Sequence, residues 1–369
     1  MVMYLFLVCS LLTVVGCVLL EETSLEKSRL SGVYRGRLSE GYSLFLNWMG
    51  QHHPGSDLDH ISLQLANQIL VNFVNHLWNI APTKFSVAKH AILSVQHQHL
   101  RLKGNIMRVW QCLQSWRFKC DENNRVPMSL DVLEALFGVC VAQAFAGNEK
   151  DRGLWLSLGV LLRVGFFGLC RPGELLALTA SQVKVVTTLP SWQTVISVLK
   201  PKNRGALGRV QFRLADDHCT ATHVSWLVDG LNGSYKIWGS SRDRCMQLYK
   251  TALKILNLES VGYTLASLRA GGATHLYLCG KNIDFIQFRG GWACQKSLSC
   301  YVQEAMVSLI SARTSSTAAN LVQEWRAASA SFWKNPPNTP WESLFSRKAQ
   351  WTPRRKLKSL LKGRKSSQP

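Results

Sequence analysis

The chain has 369 residues, 47% of them hydrophobic, which is too long for one small core and sufficient for about two domains. It carries 43 Lys and Arg against 22 Asp and Glu, a formal net charge of +21, so a polyanion is the expected partner, either nucleic acid or an anionic membrane. The abundance of Leu, Val and Trp excludes a small ribosome-like or histone-like binder. The 11 cysteines, none in a C-x-x-C pair, exclude a zinc finger and point to a reducing compartment.

Residues 1–20, MVMYLFLVCSLLTVVGCVLL, hold no charge and are long enough to span a bilayer. They lack a basic n-region and a small-x-small cleavage site. A membrane anchor, an atypical signal peptide and a mistaken translation start all fit. Residues 21–40 are polar and of mixed charge, and read as a linker. From 41 to 124 the apolar spacing is helical. One helix carries Leu63, Leu65, Ile69, Leu70, Phe73 and Leu77; another opens at Pro82-Thr83 and runs through Val95; a third runs from Asn105 through Trp116. Lys84, Lys89, Arg101 and Lys103 give this region a basic flank.

A polar stretch, CDENNRVP, precedes a second region over 125–330, whose first helix has Ser129 as a candidate N-cap. GLWLSLGVLLRVGFFGLC is nearly all apolar, but Arg163 interrupts it and RPGE follows, so a buried core helix is expected. Cys140, Cys170 and Cys279 stand in apolar runs and read as small core residues. Val183, Val185 and Val186 and then VISVL alternate as strands. PKNRGAL joins VISVLK to GRVQFRL as a β-hairpin with Lys200, Lys202 and Arg204 at its tip. Helices resume after about His223. Residues 331–369 form a Pro and aromatic segment and a basic tail, PRRKLKSLLKGRKSSQP, typical of a nucleic-acid arm or an import signal. The expected fold is mainly α with a small β-sheet.

Four stretches of the second region gather polar residues on an apolar background. In GLCRPGELLAL, Pro172 and Glu174 suit a first helical turn, leaving Arg171 at a helix N-terminus. The hairpin tip offers lysines able to donate a proton. In YTLASLRAGGATHLYLCG, Arg269 lies where Gly271, Gly272 and Ala273 permit close helix packing. If buried it needs a partner, Glu174 or a bound phosphate. His275 points about 120° away from Arg269 on a helix, as a core histidine does. Tyr277 stands between Leu276 and Leu278, a packing position. In GGWACQKSLSCYVQEAM, Trp292 and Tyr301 fall on opposite faces of an unbroken helix. They share a site only if the chain bends near Cys294 to Ser297.

This order of residues resembles the tyrosine recombinase (phage integrase) family. GLCRPGELLAL looks like its first arginine box, LKPKN like its catalytic hairpin, and SLRAGGATHLYLCGKNIDFIQFRGGW through Tyr301 like its second box and nucleophile. The Trp-to-Tyr spacing is similar to that of Cre recombinase, where tryptophan replaces the more usual histidine. The resemblance spans about residues 40–330 and implies a two-domain DNA clamp, a helical core-binding domain with an α+β catalytic domain. It implies that Arg171 and Arg269 hold the scissile phosphate, that Trp292 donates to it, and that Lys202, or Lys200, is the general acid. Glu174 orients the arginine and Tyr301 is the nucleophile, with no metal, nucleotide or other cofactor. His275 matches a non-catalytic stretch beside the second box. Double-stranded DNA is the implied partner and a homotetramer the implied assembly, with the apolar run Leu309 to Trp325 docked on a neighbour. The implied location is the nucleus or nucleoid. One position departs from the family: Ala266 stands where a histidine is usual. A DNA-binding protein that has lost the chemistry, and a membrane-anchored basic protein, are the alternative classes.

Overall fold

The computed structural model describes residues 30–120, 126–146, 149–187 and 192–334, with the side chains of residues 146, 149, 204, 206 and 329–334 outside the description. The hydrophobic residues 1–20, the Pro and aromatic stretch after 334 and the basic tail therefore lie outside it. The chain divides into two compact units, Met1–Asn123 and Asn124–Pro369. Among the described residues no helix is long and apolar enough to cross a membrane.

The first unit is all-helical: α1 (Gly32–His52), α2 (Leu63–Ile80), α3 (Phe85–Gln98) and α4 (Met107–Lys119). α1 starts inside the segment read as a linker. Ser31 accepts the Tyr34 N–H at 3.3 Å as an N-cap, and Leu38, Phe45 and Trp48 turn one face inward. α1 lies against α3, and α2 against α4, around Phe45, Phe73, Ile92 and Val109. The loop before α2 is fastened by Arg101, whose Nη2 donates to the carbonyls of Leu58 and Ile61.

The second unit begins with α5 (Leu130–Ala146), where Ser129 accepts the Val132 N–H at 3.3 Å. It continues with α6 (Arg152–Phe167) and the short α7 (Pro172–Ala177). Then come β1 (Val183–Val186), β2 (Gln193–Val198), α8 (Arg204–Leu207) and β3 (Gln211–Ala215), followed by α9 (His218–Val228) and α10 (Arg242–Ile255). Last are α11 (Ala266–Leu278), α12 (Ile283–Gly290), α13 (Gln295–Ser299), α14 (Glu304–Arg313) and α15 (Ser316–Lys334). The architecture is mainly helical with one small sheet. The strands form an antiparallel sheet ordered β1-β2-β3, with Ile196 opposite both Val183 and Arg213.

α6 is the buried core helix expected of its sequence. Its interrupting Arg163 is neutralised in place: Nη2 meets Asp217 at 2.5 Å and Nε donates to Thr220 at 3.1 Å. α5 packs along α6, and α11 crosses α6 where Gly271 and Gly272 leave no room for a Cβ beside the carbonyls of Met128 and Phe166. Cys140 and Cys170 are buried, but Cys279 is exposed, as are Tyr277 and Leu278 before it in the last turn of α11.

The C-terminal segment departs from expectation. The run from Leu309 to Trp325 is two helices broken at Thr314-Ser315, and α15 packs on α5 of its own chain. Ala318, Val322 and Trp325 recur on one face and are buried there. Arg326 adds ion pairs to Asp131 at 3.0 Å and Glu134 at 2.7 Å. Replacing Trp325 by Ala should therefore destabilise the second unit by about 3–5 kcal/mol in urea unfolding. A loss under about 1 kcal/mol would mean that α15 does not rest on α5.

Candidate active site

The α6–α7 junction supplies the first element. Gly168 ends α6, and Leu169 takes φ 50°, a left-handed conformation that costs a non-glycine residue about 1 kcal/mol. This turns the Leu169 carbonyl toward α11, where Arg269 Nη1 donates to it. Arg171 follows as the N-cap of α7, with Pro172 at the first helical position. Glu174 answers it twice: Oε2 accepts the Arg171 N–H at 2.8 Å, and Oε1 takes Nη1 at 2.6 Å.

Arg269 is the centre of the second element and is 0% exposed. Besides the Nη1 bond to Leu169, Nη2 donates to the Gly290 carbonyl at 2.9 Å, and among the described residues Nε has no partner. Among the described residues it has no carboxylate within ion-pair distance; Glu174, one of the two partners foreseen for it, is spent on Arg171. Burial, with Arg171 and Arg213 beside it, pushes its guanidinium down to about 9. The charge is held by backbone dipoles rather than by an anion.

The Gly-Gly-Trp turn explains its own glycines. A Cβ on Gly290 would fall inside the Trp292 ring. Gly291 has φ +61°, and a Cβ there would fall on the Arg213 guanidinium. The turn folds Trp292 back so that its ring centroid lies 3.8 Å from the Arg269 guanidinium carbon. The chain then bends through α13, and Tyr301 returns to the same place, with its N–H on the Leu298 carbonyl at 2.7 Å. The Trp292 and Tyr301 rings stand edge to face at 5.1 Å, and Arg269 is 5.5 Å from the Tyr301 ring. The bend expected between Cys294 and Ser297 is the start of α13, with Cys294 as its N-cap. Thr274 on α11 meets the tyrosine backbone: its one hydroxyl proton is shared between the carbonyls of Ala270 at 2.9 Å and Tyr301 at 3.0 Å, and its Oγ1 accepts the Gln303 N–H at 3.1 Å.

The hairpin connection contributes Lys200 and Lys202, both exposed. They line a cleft of about 490 Å³ with Arg171, Glu174, Gln182 and Leu199. Arg171 thus belongs to two groups, the lysine cleft and the field around Arg269. The side chain of Arg204 lies outside the described residues.

Other sequence candidates fall elsewhere. His275 lies half-buried against the rings of Phe166 and Phe167, in a cavity with Arg163 and Asp217, and burial lowers its affinity for a proton. Tyr277 is 40% exposed in the last turn of α11, so it does not fill the packing position read for it. Ala266 opens α11 and brings no titratable group. In the first unit Lys84, Lys89 and Lys103 are exposed, whereas Arg101 is committed to loop carbonyls. Among the described residues one set of metal-type ligands converges, Asp57, Asp59 and His99 in the first unit. Asp59 already pairs with His99 at 2.8 Å and has Arg101 Nε at 3.9 Å, a charge that opposes a cation.

Three residues of this neighbourhood are absent from the sequence reading: Asn203, Gln211 and Arg213. β3 turns Gln211, Arg213 and Ala215 inward and leaves Phe212 65% exposed.

No family model and no curated protein matches the chain. Among solved structures it is similar to the XerH site-specific recombinase bound to difH substrate, at 14% identity over 74% of this chain and 79% of that chain, TM-score 0.46. It is also similar to the Tn1549 transposon integrase in complex with transposon right end DNA, at 12% identity over 82% of this chain and 96% of that one, TM-score 0.46. With the XerA recombinase the identity is 15% over 85% and 96%, TM-score 0.34. At these identities and TM-scores the likenesses assign the chain to no family.

Gly290→Ala tests the turn. The added methyl must displace the Trp292 ring from Arg269, and an overpacked site of this kind loses about 1–3 kcal/mol. Urea unfolding of the variant should show this loss, while unchanged stability would mean that the ring does not lie over Gly290.

Proposed function

We propose that the chain is a site-specific DNA recombinase or integrase of the tyrosine type, which cleaves and rejoins DNA through a 3′-phosphotyrosyl link. The observation that carries this reading is Arg269: a fully buried guanidinium with no carboxylate at ion-pair distance among the described residues, near Arg171 and stacked on Trp292 and Tyr301. A buried cation in this state favours an anion, and a phenol stands where it would meet that anion.

In this reading Arg171 and Arg269 hold the non-bridging oxygens of one DNA phosphate and stabilise the charge of the pentacoordinate transition state. Glu174 fixes the Arg171 side chain at 2.6 Å. Trp292 donates its indole N–H to an oxygen of the same phosphate. The Tyr301 hydroxyl attacks phosphorus, gives its proton to solvent water and displaces the 5′ oxygen, which takes a proton from Lys202, or from Lys200 beside it in the same cleft. The phosphotyrosyl bond conserves the phosphodiester energy, and attack by a 5′ hydroxyl of the same or another strand reverses the step. The reading assigns no role to a metal or a nucleotide.

The partner is double-stranded DNA, contacted by the basic flank of the first unit through Lys84, Lys89 and Lys103, with the nucleus or nucleoid as the place of action. Insertion or excision of a mobile element fits this chemistry. A homotetramer on DNA belongs to the same reading. Since α15 rests on its own α5, assembly uses another surface or releases that helix.

Ala266 favours a second reading, a DNA-binding protein that keeps the architecture without the chemistry, because no group there can relay the tyrosine proton. A suicide substrate carrying a nick separates the two. The unaltered chain should give a covalent adduct on a denaturing gel, Tyr301→Phe none, and Lys202→Ala an adduct formed about 10²–10⁴-fold more slowly. DNA binding without an adduct at any pH would leave the second reading standing. Affinity should also fall steeply with salt, with a log–log slope near −0.9 per neutralised phosphate, and Lys89→Ala should flatten that slope by about one unit.

A further inference from the structure

β3 runs against the usual logic of a half-buried strand. Its large apolar members, Phe212 and Leu214, lie on the more open face, while Gln211 and Arg213 are buried with Ala215 on the other, Arg213 against the Gly-Gly-Trp turn. Arg213 is 2% exposed, and among the described residues its Nε has no partner. Its guanidinium is met by a neutral group: Nη2 donates to Gln211 Oε1 at 2.9 Å. Gln211 Nε2 donates in turn to Asn203 Oδ1 at 3.1 Å, and Asn203 Nδ2 to the Gly291 carbonyl at 2.8 Å. The guanidinium itself lies against Gly291, which has no side chain to interpose.

The chain Arg213–Gln211–Asn203–Gly291 therefore joins three parts. It links the strand, the connection that bears Lys200 and Lys202, and the turn that places Trp292 over Arg269. Arg269 grips the same turn from the other side through the Gly290 carbonyl. Burial drives the Arg213 guanidinium below its ordinary value, with Glu174 and Cys170 opposing the fall and Arg171 adding to it. A third guanidinium is thus kept in a site that already holds two. Among the described residues it has no carboxylate within ion-pair distance, an arrangement that costs stability unless an anion enters.

We propose that Arg213 is a further positioning residue for the oxyanion held by Arg171 and Arg269. It locks the Gly290–Gly291–Trp292 turn and the lysine-bearing connection into one frame, and it adds its charge to the field that a phosphate group enters. The proposal rests on the reading of Arg171 and Arg269 as a phosphate site.

Orthovanadate, a tetrahedral phosphate analogue, is the probe, added to the full chain at constant ionic strength, with the rise in Tm giving the midpoint of binding. The variants are Arg213→Met, Arg213→Lys and Gln211→Met, each also assayed for the Tyr301 adduct on nicked DNA. Arg213→Met should raise the vanadate midpoint at least about tenfold, since a charged partner is lost. Arg213→Lys, which keeps the charge, should stay within about threefold of the unaltered chain. Gln211→Met keeps the charge and breaks the tie, so the midpoint should hold while the adduct forms at least about tenfold more slowly. A merely structural Arg213 would lower the Tm without vanadate and leave the midpoint alone, and that result overturns the proposal. So does an unaltered chain with no vanadate-dependent shift. A shift that depends on Arg213 in a chain that forms no adduct upholds Arg213 and removes strand transfer instead. Should Arg213→Met fail to fold, Gln211→Met decides: an adduct rate equal to that of the unaltered chain overturns the proposal.

Discussion

A buried guanidinium whose hydrogen-bond acceptors, among the described residues, are backbone carbonyls is the constraint around which the second unit is arranged. Arg269 needs acceptors, and the two it finds are made by unusual backbone. Leu169 takes a positive φ so that its carbonyl points at α11, and Gly290 ends α12 with its carbonyl turned inward. Neither acceptor carries a full charge, so the cation is solvated but not neutralised. Gly271 and Gly272, shortly after Arg269, bring α11 hard against α6 and Met128, where a Cβ would meet the carbonyls of Phe166 and Met128.

The aromatic pair follows from the same requirement. A charge that lacks an anion is stabilised by the face of a ring, and Trp292 supplies that face at 3.8 Å. The ring reaches it because two residues without side chains precede it. Tyr301 reaches it because α13 is short enough to reverse the chain within one turn. The little cluster of Leu169, Ala273, Ile286, Trp292 and Leu298 is the apolar floor that holds both rings. Thr274 then fixes the tyrosine backbone from α11, so arginine and phenol are positioned by the same helix.

Local rules made much of this legible. The Arg171-Pro172-Glu174 turn, the buried α6, the three strands and the need for a bend before Tyr301 all follow from spacing, capping and turn chemistry over a few residues. What stayed hidden depends on contacts distant in the chain. Strand alternation alone assigns Phe212 and Leu214 to the core; the structure buries Gln211 and Arg213 instead, because that face looks onto a polar site. Lysines and arginines count alike in composition, yet Arg101 spends its donors on Leu58 and Ile61 while Lys84 and Lys89 remain exposed. The linker reading failed for α1 because Ser31 caps a helix whose inward face is sparse in apolar residues at its start. An apolar stripe shows that a helix has a partner, not which one; within the single chain α15 lies on α5.

The chain also contains an internal control for its central residue. Arg163 is as deeply buried as Arg269 and lies in the helix that Arg269 packs against, but it was given Asp217 at 2.5 Å and Thr220 at 3.1 Å. This fold is therefore able to bring a carboxylate to a buried arginine. Near Arg269 the available carboxylate, Glu174, is turned to Arg171 and held there by the N-cap N–H. Arg213, the other deeply buried arginine, receives an amide. Among the described residues, two buried guanidiniums stand without a carboxylate at ion-pair distance on either side of one turn, within a protein that neutralises a third, and the costs of that arrangement would be offset by an anion.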